Sequence, residues 1–329
     1  MAEPRDTACR DALHCVRSQC ARVAEMADHV RIHHDRVPAY AKRLLGLMPP
    51  TPMLDRDTHF AGNTEETAAF FVCLDAINFG SGYFPYLRKR NGMSGYFTIA
   101  SALTDQFRSQ GALTAMQLAS ATPEFCAEVF GQSLENTVIA KLMTAFAQSW
   151  RDLGDDLIRR FAGSFNALIE SAGHSAAALV ALLNEQPMFR DIADYKDLEV
   201  PFYKRSQLLA SDLALAFQNS GLGRFDDLDQ LTIFSDNLVP HVLRLDGILE
   251  YEHALQQCID HEELIPAGSA QEIEIRACSV TAVEEICEAA SDNGMHFTSR
   301  DLDQILWHRG QDPTYKRTAK RHRTRSIFY

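Results

Sequence analysis

The chain has 329 residues, enough for one large domain or two ordinary ones, and 46% of them are apolar, enough for a substantial core. A formal net charge of −12 weighs against a protein built to coat nucleic acid. No run approaches the roughly 18 consecutive apolar residues of a membrane helix; "AAFFVCL" and "AAALVALL" are far shorter, and the polar start "MAEPRDTACR" does not read as a secretory signal, so a soluble, cytoplasmic protein without membrane contacts is expected.

In chain order the pattern is mostly helical. The stretch from Asp11 to Leu45 reads as two helices broken at Pro38, peripheral to the rest. "TPMLDRDTHF" is a loop. "NTEETAAFFVCLDAINF" opens with a cap-like Asn63/Thr64 and acids in its first turn, then becomes apolar on every face. "GSGYFPYLRKRNGMSGYF" carries five glycine or proline breakers and reads as a long loop. Helices are predicted over 98–109, 112–118, 122–129, 134–152, 155–171 and 174–184. "LEVPFY" gives an extended entry to a helix that stops at "NSGLG", and further helices are predicted near 239–247, 251–260, 269–288 and 299–308. Strand signals are confined to "VPFY" and "RSIFY". The expected fold class is mainly α, one helical domain over 1–329, with room for two lobes around a pocket.

Eight cysteines are scattered without a C-x-x-C pair, and their spacing fits no common zinc site, so all are expected to be reduced. His29 and His33 are four apart but lack the glutamate of an H-E-x-x-H motif, so no metal is expected.

The informative feature is carboxylates on apolar helix faces. At 100° per residue, Asp75 projects between Phe71 and Val72 with Asn78 beside it, Asp212 between Leu208 and Leu209, and Asp303 between Leu306 and Trp307. A charge so placed is costly unless paired. Each acid alone reads as a cap or the partner of a buried arginine; three together, with Asp236 at a helix entrance in "LTIFSDNLVPHVLR", point to a polar pocket. Asp236 itself reads as either a helix cap or a catalytic carboxylate. Lys204 and Arg205 stand at a helix start, against its dipole, which an anionic ligand would explain. Glu274 and Arg276 lie two apart and cannot face each other, so each is expected to find a partner elsewhere. Trp307 reads as core before stacking platform. The last segment, "TYKRTAKRHRTRSIFY", is a basic strip with an apolar end: docked near a pocket it would bind phosphate, and free it would bind nucleic acid non-specifically.

The ordered motifs "VPFYKRSQLLASDL", "LTIFSDNLVPHVL", "QEIEIRACSV", "LDQILW" and "HRTRSIFY", extended by "NTEETAAFFVCLDAINF" and "GMSGYFTIASAL", resemble the queuosine salvage proteins over roughly residues 50–329. The resemblance implies a fold similar to helix–hairpin–helix DNA glycosylases. It also implies hydrolysis of the N-glycosidic bond of queuosine 5′-monophosphate to queuine and ribose 5-phosphate, with no cofactor. It casts Asp236 as the catalytic carboxylate. The substrate-binding set it implies is His59, Phe234 with its neighbour Ser235, Asp303, Gln304, His308 and Lys204, with Arg323 and Arg325 for phosphate; Asp75, Asn78 and Asp212 are further candidates for groups on the base. The chain departs from the family pattern at "NFGSGYF", where members carry a tryptophan-containing segment, and at His308, where an acid is common. The partner expected is a small nucleotide, with no obligate nucleic acid, acting on a monomer. A glycosylase for a related modified-purine nucleotide, or a nucleic-acid-binding protein using the basic C-terminus, is the alternative.

Overall fold

A computed structural model describes residues 10–44 and 54–329. Cys9, and the first residues of the loop expected at 51–60, lie outside them. The elements are α1 (Ala12–Glu25), β1 (Val30–Ile32), α2 (Val37–Leu44), α3 (Thr64–Ala76), α4 (Gly95–Gln110), α5 (Ala115–Ala119), α6 (Pro123–Phe130), α7 (Thr137–Phe161), α8 (Phe165–Glu170) and α9 (Ala176–Leu183). They continue with β2 (Ile192–Tyr195), β3 (Leu198–Pro201), α10 (Lys204–Ala216), α11 (Val239–Leu245), β4 (Leu249–Tyr251), α12 (His253–Asp260), α13 (Ala270–Ser291), α14 (Ser299–Gln311) and α15 (Pro313–Thr318). The protein is mainly helical, and a single apolar cluster runs from Leu13 in α1 to Leu306 in α14.

Two predicted breaks move. Pro38 does not separate two helices. It occupies the first turn of α2, where a missing N–H costs nothing, and the break upstream contains β1, paired antiparallel with β4 from Val30–Tyr251 to Ile32–Leu249. Gly154 does not end a helix either: α7 runs through it, and glycine is needed there because a Cβ would lie 2.3 Å from the Ala119 backbone nitrogen of α5. "LEVP" does form a strand, in a hairpin with β2, while the C-terminal "RSIFY" pairs with no strand.

The N-terminal helices are packed in, not laid on. Leu13, Val16, Cys20 and Val23 of α1 are buried against α13, and Arg17 bonds Glu284 at 2.8 Å. Helix α13 is the central post, and every residue from 272 to 280 is buried. Its charges turn to different neighbours, as the spacing of Glu274 and Arg276 predicts. Glu274 accepts from the backbone N–H of His29 and Val30 (2.6 and 3.1 Å) and from the Tyr195 hydroxyl (2.8 Å), tying both two-stranded sheets to one helix. Arg276 makes a bidentate pair with Asp191 at 2.9 and 2.7 Å.

The basic C-terminal tail is docked. Ile265 N donates to the Arg323 carbonyl and Gly80 N to the Tyr329 carbonyl, both at 2.9 Å. Gly82 is required here, since a Cβ would meet the Thr324 carbonyl at 2.2 Å. Along 321–326 burial alternates, with His322, Thr324 and Ser326 buried and Arg321, Arg323 and Arg325 half-buried on the other face. That period of two is the extended signal seen in "RSIFY". Six cysteines, among them Cys73 and Cys278, are free thiols. Cys15, half-buried one turn into α1, is in a disulfide, which corrects the expectation that all eight are reduced.

Candidate active site

A cavity of about 1290 Å³ opens where the C-terminal end of α3, the start of α4, α10, the 231–238 segment, α14 and the C-terminal tail converge. Its wall is aromatic. Phe71, Tyr96, Phe97, Phe234 and Trp307 all reach it, with Trp307 edge-on to Tyr96 and Phe97 at 6.3 and 5.9 Å. Trp307 therefore lines the cavity instead of filling the core.

Asp236 is fixed by its own backbone. One oxygen accepts from Leu238 N at 2.6 Å and more weakly from Val239 N at 3.4 Å, closing the turn into α11. Across Leu231–Pro240 Asp236 is half-buried and the other residues are buried. It is both the cap and a carboxylate presented to the cavity. Asp303, on α14, accepts from Phe234 N at 2.9 Å, so α14 holds the same segment from the other side. Burial pushes the Asp303 carboxyl up to about 7, with Asp236 adding to the shift and the Phe234 N–H and Lys204 opposing it.

Deeper in, Asp212 is likewise raised to about 7 by burial, against the pull of Arg300 and Lys204. Asp75 is fully buried beneath the lining. Its carboxyl is held well above the usual range by desolvation and then by the Asp212 charge; one oxygen accepts from Asn78 Nδ2 at 3.1 Å and the other has no partner among the described residues. Lys204 Nζ donates to the Asn78 carbonyl and side-chain oxygen at 3.0 and 3.1 Å. Burial lowers the Lys204 pKa, and Asp236 is the largest charge holding it up.

The sequence placed Lys204 and Arg205 against the dipole of α10, and the structure supplies the compensation. Arg205 donates to the Ala76 carbonyl and Lys204 to that of Asn78, so both cations serve the C-terminal end of α3. The α10 amine end is met by Asp191, which accepts from Lys204 N at 3.1 Å.

His59 stacks on Phe71 at 6.0 Å and reaches Tyr96 Oη through Nε2 at 2.8 Å. Thr58 Oγ donates to Asp55 Oδ2, which leaves His59 Nδ1 to donate to the Asp55 carbonyl (3.1 Å) and Nε2 to accept. Burial lowers the His59 pKa, in keeping with a neutral ring.

Of the residues singled out by sequence, the cavity brings together Asp236, Phe234, Asp303, Gln304, His308, His59, Lys204, Asn78, Asp212 and Arg323. Three do not line it. Ser235, between Phe234 and Asp236, turns to α13, bonding the Arg276 carbonyl and Ser279 Oγ at 3.1 and 2.8 Å. Asp75 lies behind Asn78. Arg325 sits over the Tyr83 and Tyr86 rings at 5.4 and 5.5 Å. Tyr96 lines the cavity and was missed, and Arg321, read only as one member of the basic strip, lines it too. The clue to Arg321 is the two-residue alternation of the tail, which puts it on one face with Arg323. Among the described residues no three His, Cys, Asp or Glu side chains converge as a metal site, and no helix is long and apolar enough to cross a membrane.

Residues 58–329 match the model of the queuosine salvage protein family, a span that contains every cavity residue from His59 to Tyr329. A Sphaerobacter thermophilus protein named queuosine 5′-phosphate N-glycosylase/hydrolase is 39% identical over 313 residues, 94% of this chain and 95% of that protein. A Dictyostelium discoideum protein of the same name is 35% identical over 270 residues, 81% and 79% of the two chains. One from Mus musculus is 29% identical over 248 residues, 72% of each. With so much of its length matched, the site included, the chain belongs to the queuosine salvage protein family.

Proposed function

We propose that this protein is an N-glycosylase that hydrolyses queuosine 5′-phosphate to queuine and ribose 5-phosphate. The observation that carries the reading is Asp236, with one oxygen locked by the Leu238 and Val239 N–H groups and the carboxylate presented to an aromatic-walled cavity.

Breaking an N-glycosidic bond builds positive charge on the sugar, much as in glycoside hydrolysis. A fixed carboxylate beneath C1′ stabilises that charge and orients the attacking water. The rigid turn before α11 suits Asp236 to this role. The leaving group is a 7-deazapurine without N7, so its departure depends on other edges of the ring. Asp303, held near half-protonated at neutral pH, supplies a hydrogen bond or proton there, while Phe234 and Trp307 offer flat surfaces for the base. Gln304 and His308 stand on successive turns of one face of α14 and line the cavity. Asn78 and Asp212 form the polar inner end, suited to the ammonium and diol carried by queuine.

The reading extends to the whole chain as one unit, acting as a cytoplasmic monomer on a free nucleotide with no cofactor and no obligate nucleic acid. The docked tail supports this, since its basic residues are not a free arm. A fold relationship to helix–hairpin–helix DNA glycosylases rests on the family resemblance, and superposition on such an enzyme would test it.

The deciding experiment incubates the protein with queuosine 5′-phosphate, queuosine, other purine nucleotides and duplex DNA and follows free base by chromatography. Queuine release from the first is expected. Release only from another nucleotide would move the reading to a different modified purine, and no release from any nucleotide would sink it.

A further inference from the structure

Six basic side chains line the cavity, and three are already committed. Lys204 bonds Asn78. Arg309 pairs with Asp246 at 3.0 Å and bonds the Tyr315 hydroxyl. Arg323 donates to the Glu262 carbonyl and lies 3.9 Å from its carboxylate, which also holds Lys320 at 3.2 Å. The other three, Lys89, Lys316 and Arg321, have no hydrogen bond or ion pair among the described residues.

Arg321 is the informative one. It is half-buried, and a guanidinium so placed without an acid in contact is costly. Desolvation lowers its pKa, with the Asp236 charge opposing. Its place is nevertheless fixed from both sides. Arg244 donates to the Lys320 carbonyl at 2.8 Å, and Arg323 is anchored on Glu262. Lys316 and Lys89, both exposed, approach from α15 and from the loop before α4; burial and then Arg321 disfavour the Lys316 cation, Asp312 opposes them, and Lys89 adds to the repulsion. A fixed, half-buried arginine with two exposed lysines beside it on the cavity lining is arranged for a multivalent anion.

The geometry points to Arg321, with Lys316 and Lys89, as the clamp for the 5′-phosphate monoester of the substrate, and thereby as the determinant of nucleotide over nucleoside. This rests on the proposed activity only for the identity of the sugar phosphate. The neighbouring Asp236 would face the sugar, so phosphate and C1′ would fall on adjacent groups. Arg323 and Arg325, which sequence put forward for phosphate, are tied to Glu262 and to the Tyr83 and Tyr86 rings instead.

The test uses ribose 5-phosphate and ribose as probes, titrated calorimetrically into the full chain, so it does not depend on hydrolysis. Ribose 5-phosphate is expected to bind at least about tenfold more tightly than ribose, with the advantage shrinking as salt rises. Arg321→Met should remove most of that advantage, Arg321→Lys and Lys316→Met part of it, and Arg323→Met little. Melting curves of each variant guard against misfolding, and Arg321→Lys keeps the question answerable if the methionine variant does not fold. Equal binding of the two sugars by the unmodified protein, unchanged ribose 5-phosphate binding in the Arg321 variants, or loss through Arg323→Met alone would overturn the clamp. Intact phosphate-dependent binding in a protein that releases no base would overturn the proposed activity and leave the clamp standing.

Discussion

Two clusters of buried charge sit on either side of Lys204, and they are treated in opposite ways. Around Arg276 the polar groups are well matched. Its guanidinium makes two bonds to Asp191 and one, through Nε at 3.1 Å, to the Ser235 carbonyl, and it lies 3.9 and 4.5 Å from the ring centres of Phe202 and Tyr329. Asp191 uses a remaining lone pair on Lys204 N. At the cavity, by contrast, Asp75, Asp212 and Asp303 crowd one lysine, and all three carboxyls are displaced upward by burial. The knot fixes three parts of the site at once: the Asp236 segment, the start of α10 and the C-terminal tail. The cavity groups are held in place yet under-satisfied, and so remain available to a ligand. Charges a fold needs for itself are paired within it, and strained ionisation is concentrated where chemistry is done.

The sharpest way to separate the two clusters is to compare rate with stability. Asp236→Asn should lower queuine release by roughly 10⁴-fold, the scale of loss when the aspartate of a catalytic triad is removed. The melting temperature should hardly move, because the asparagine oxygen can still accept from Leu238 N. Near-normal single-turnover release would make Asp236 a cap and nothing more. Arg276→Met should do the reverse at the level of folding, destabilising by about 3–5 kcal/mol by leaving the Asp191 carboxylate buried and unpaired. Urea unfolding of this variant beside the Arg276→Met/Asp191→Asn double variant measures it. The double should recover a large share of the loss, and equal stability of the two would mean that the pair contributes little.

Asp303 tests the cavity side by its pH dependence. With its carboxyl raised to about 7, the protonated form that can donate to the base is lost as pH rises through that value. kcat/KM of the unmodified protein should therefore fall above about pH 7. Asp303→Asn should cost roughly 10²-fold and abolish that alkaline limb. Asp212 titrates in the same range, so a limb that survives in Asp303→Asn but vanishes in Asp212→Asn would transfer the role to Asp212.

Much of this contrast was legible in the sequence, because misplaced polarity is a one-dimensional signal. Asp75, Asp212 and Asp303 stood out by helical phase alone, and Glu274 and Arg276 were rightly denied each other. Punctuation misled where tertiary contact overrode it: Gly154 marks a close approach of α5 to α7, and Pro38 a first turn. The division of labour among the cations was beyond local pattern. Whether Arg321 or Arg323 is free depends on Glu262, about sixty residues away, and only the docked tail shows it. Tyr96 was hidden in a glycine-rich loop, and Trp307 looked like core because its helix face is apolar, although that face meets Tyr96 and Phe97 at the edge of a cavity.

Asp75 gives the smallest effect and the finest discrimination, since it belongs to the cavity cluster but does not touch the cavity. A carboxyl whose pKa is raised on folding binds its proton more tightly in the native chain than in the unfolded one. Its contribution to stability is complete below its unfolded value, about 3.9, and is lost as pH rises through the raised value. Asparagine cannot ionise, keeps the shape, and can accept from Asn78 as the carboxylate does. Asp75→Asn should therefore match the unmodified protein near pH 4 and gain on it toward pH 8, by about 1 kcal/mol, or a few degrees in Tm for a chain of this size. The measurement is the difference between two Tm-against-pH profiles, in which the titrations of Asp212, Asp303 and the buried His241 and His322, both lowered by burial, largely cancel. If the asparagine variant is instead less stable throughout, the attraction of Asp75 to Lys204 and Arg205 outweighs its desolvation, and Asp75 belongs with the paired charges of the Arg276 knot.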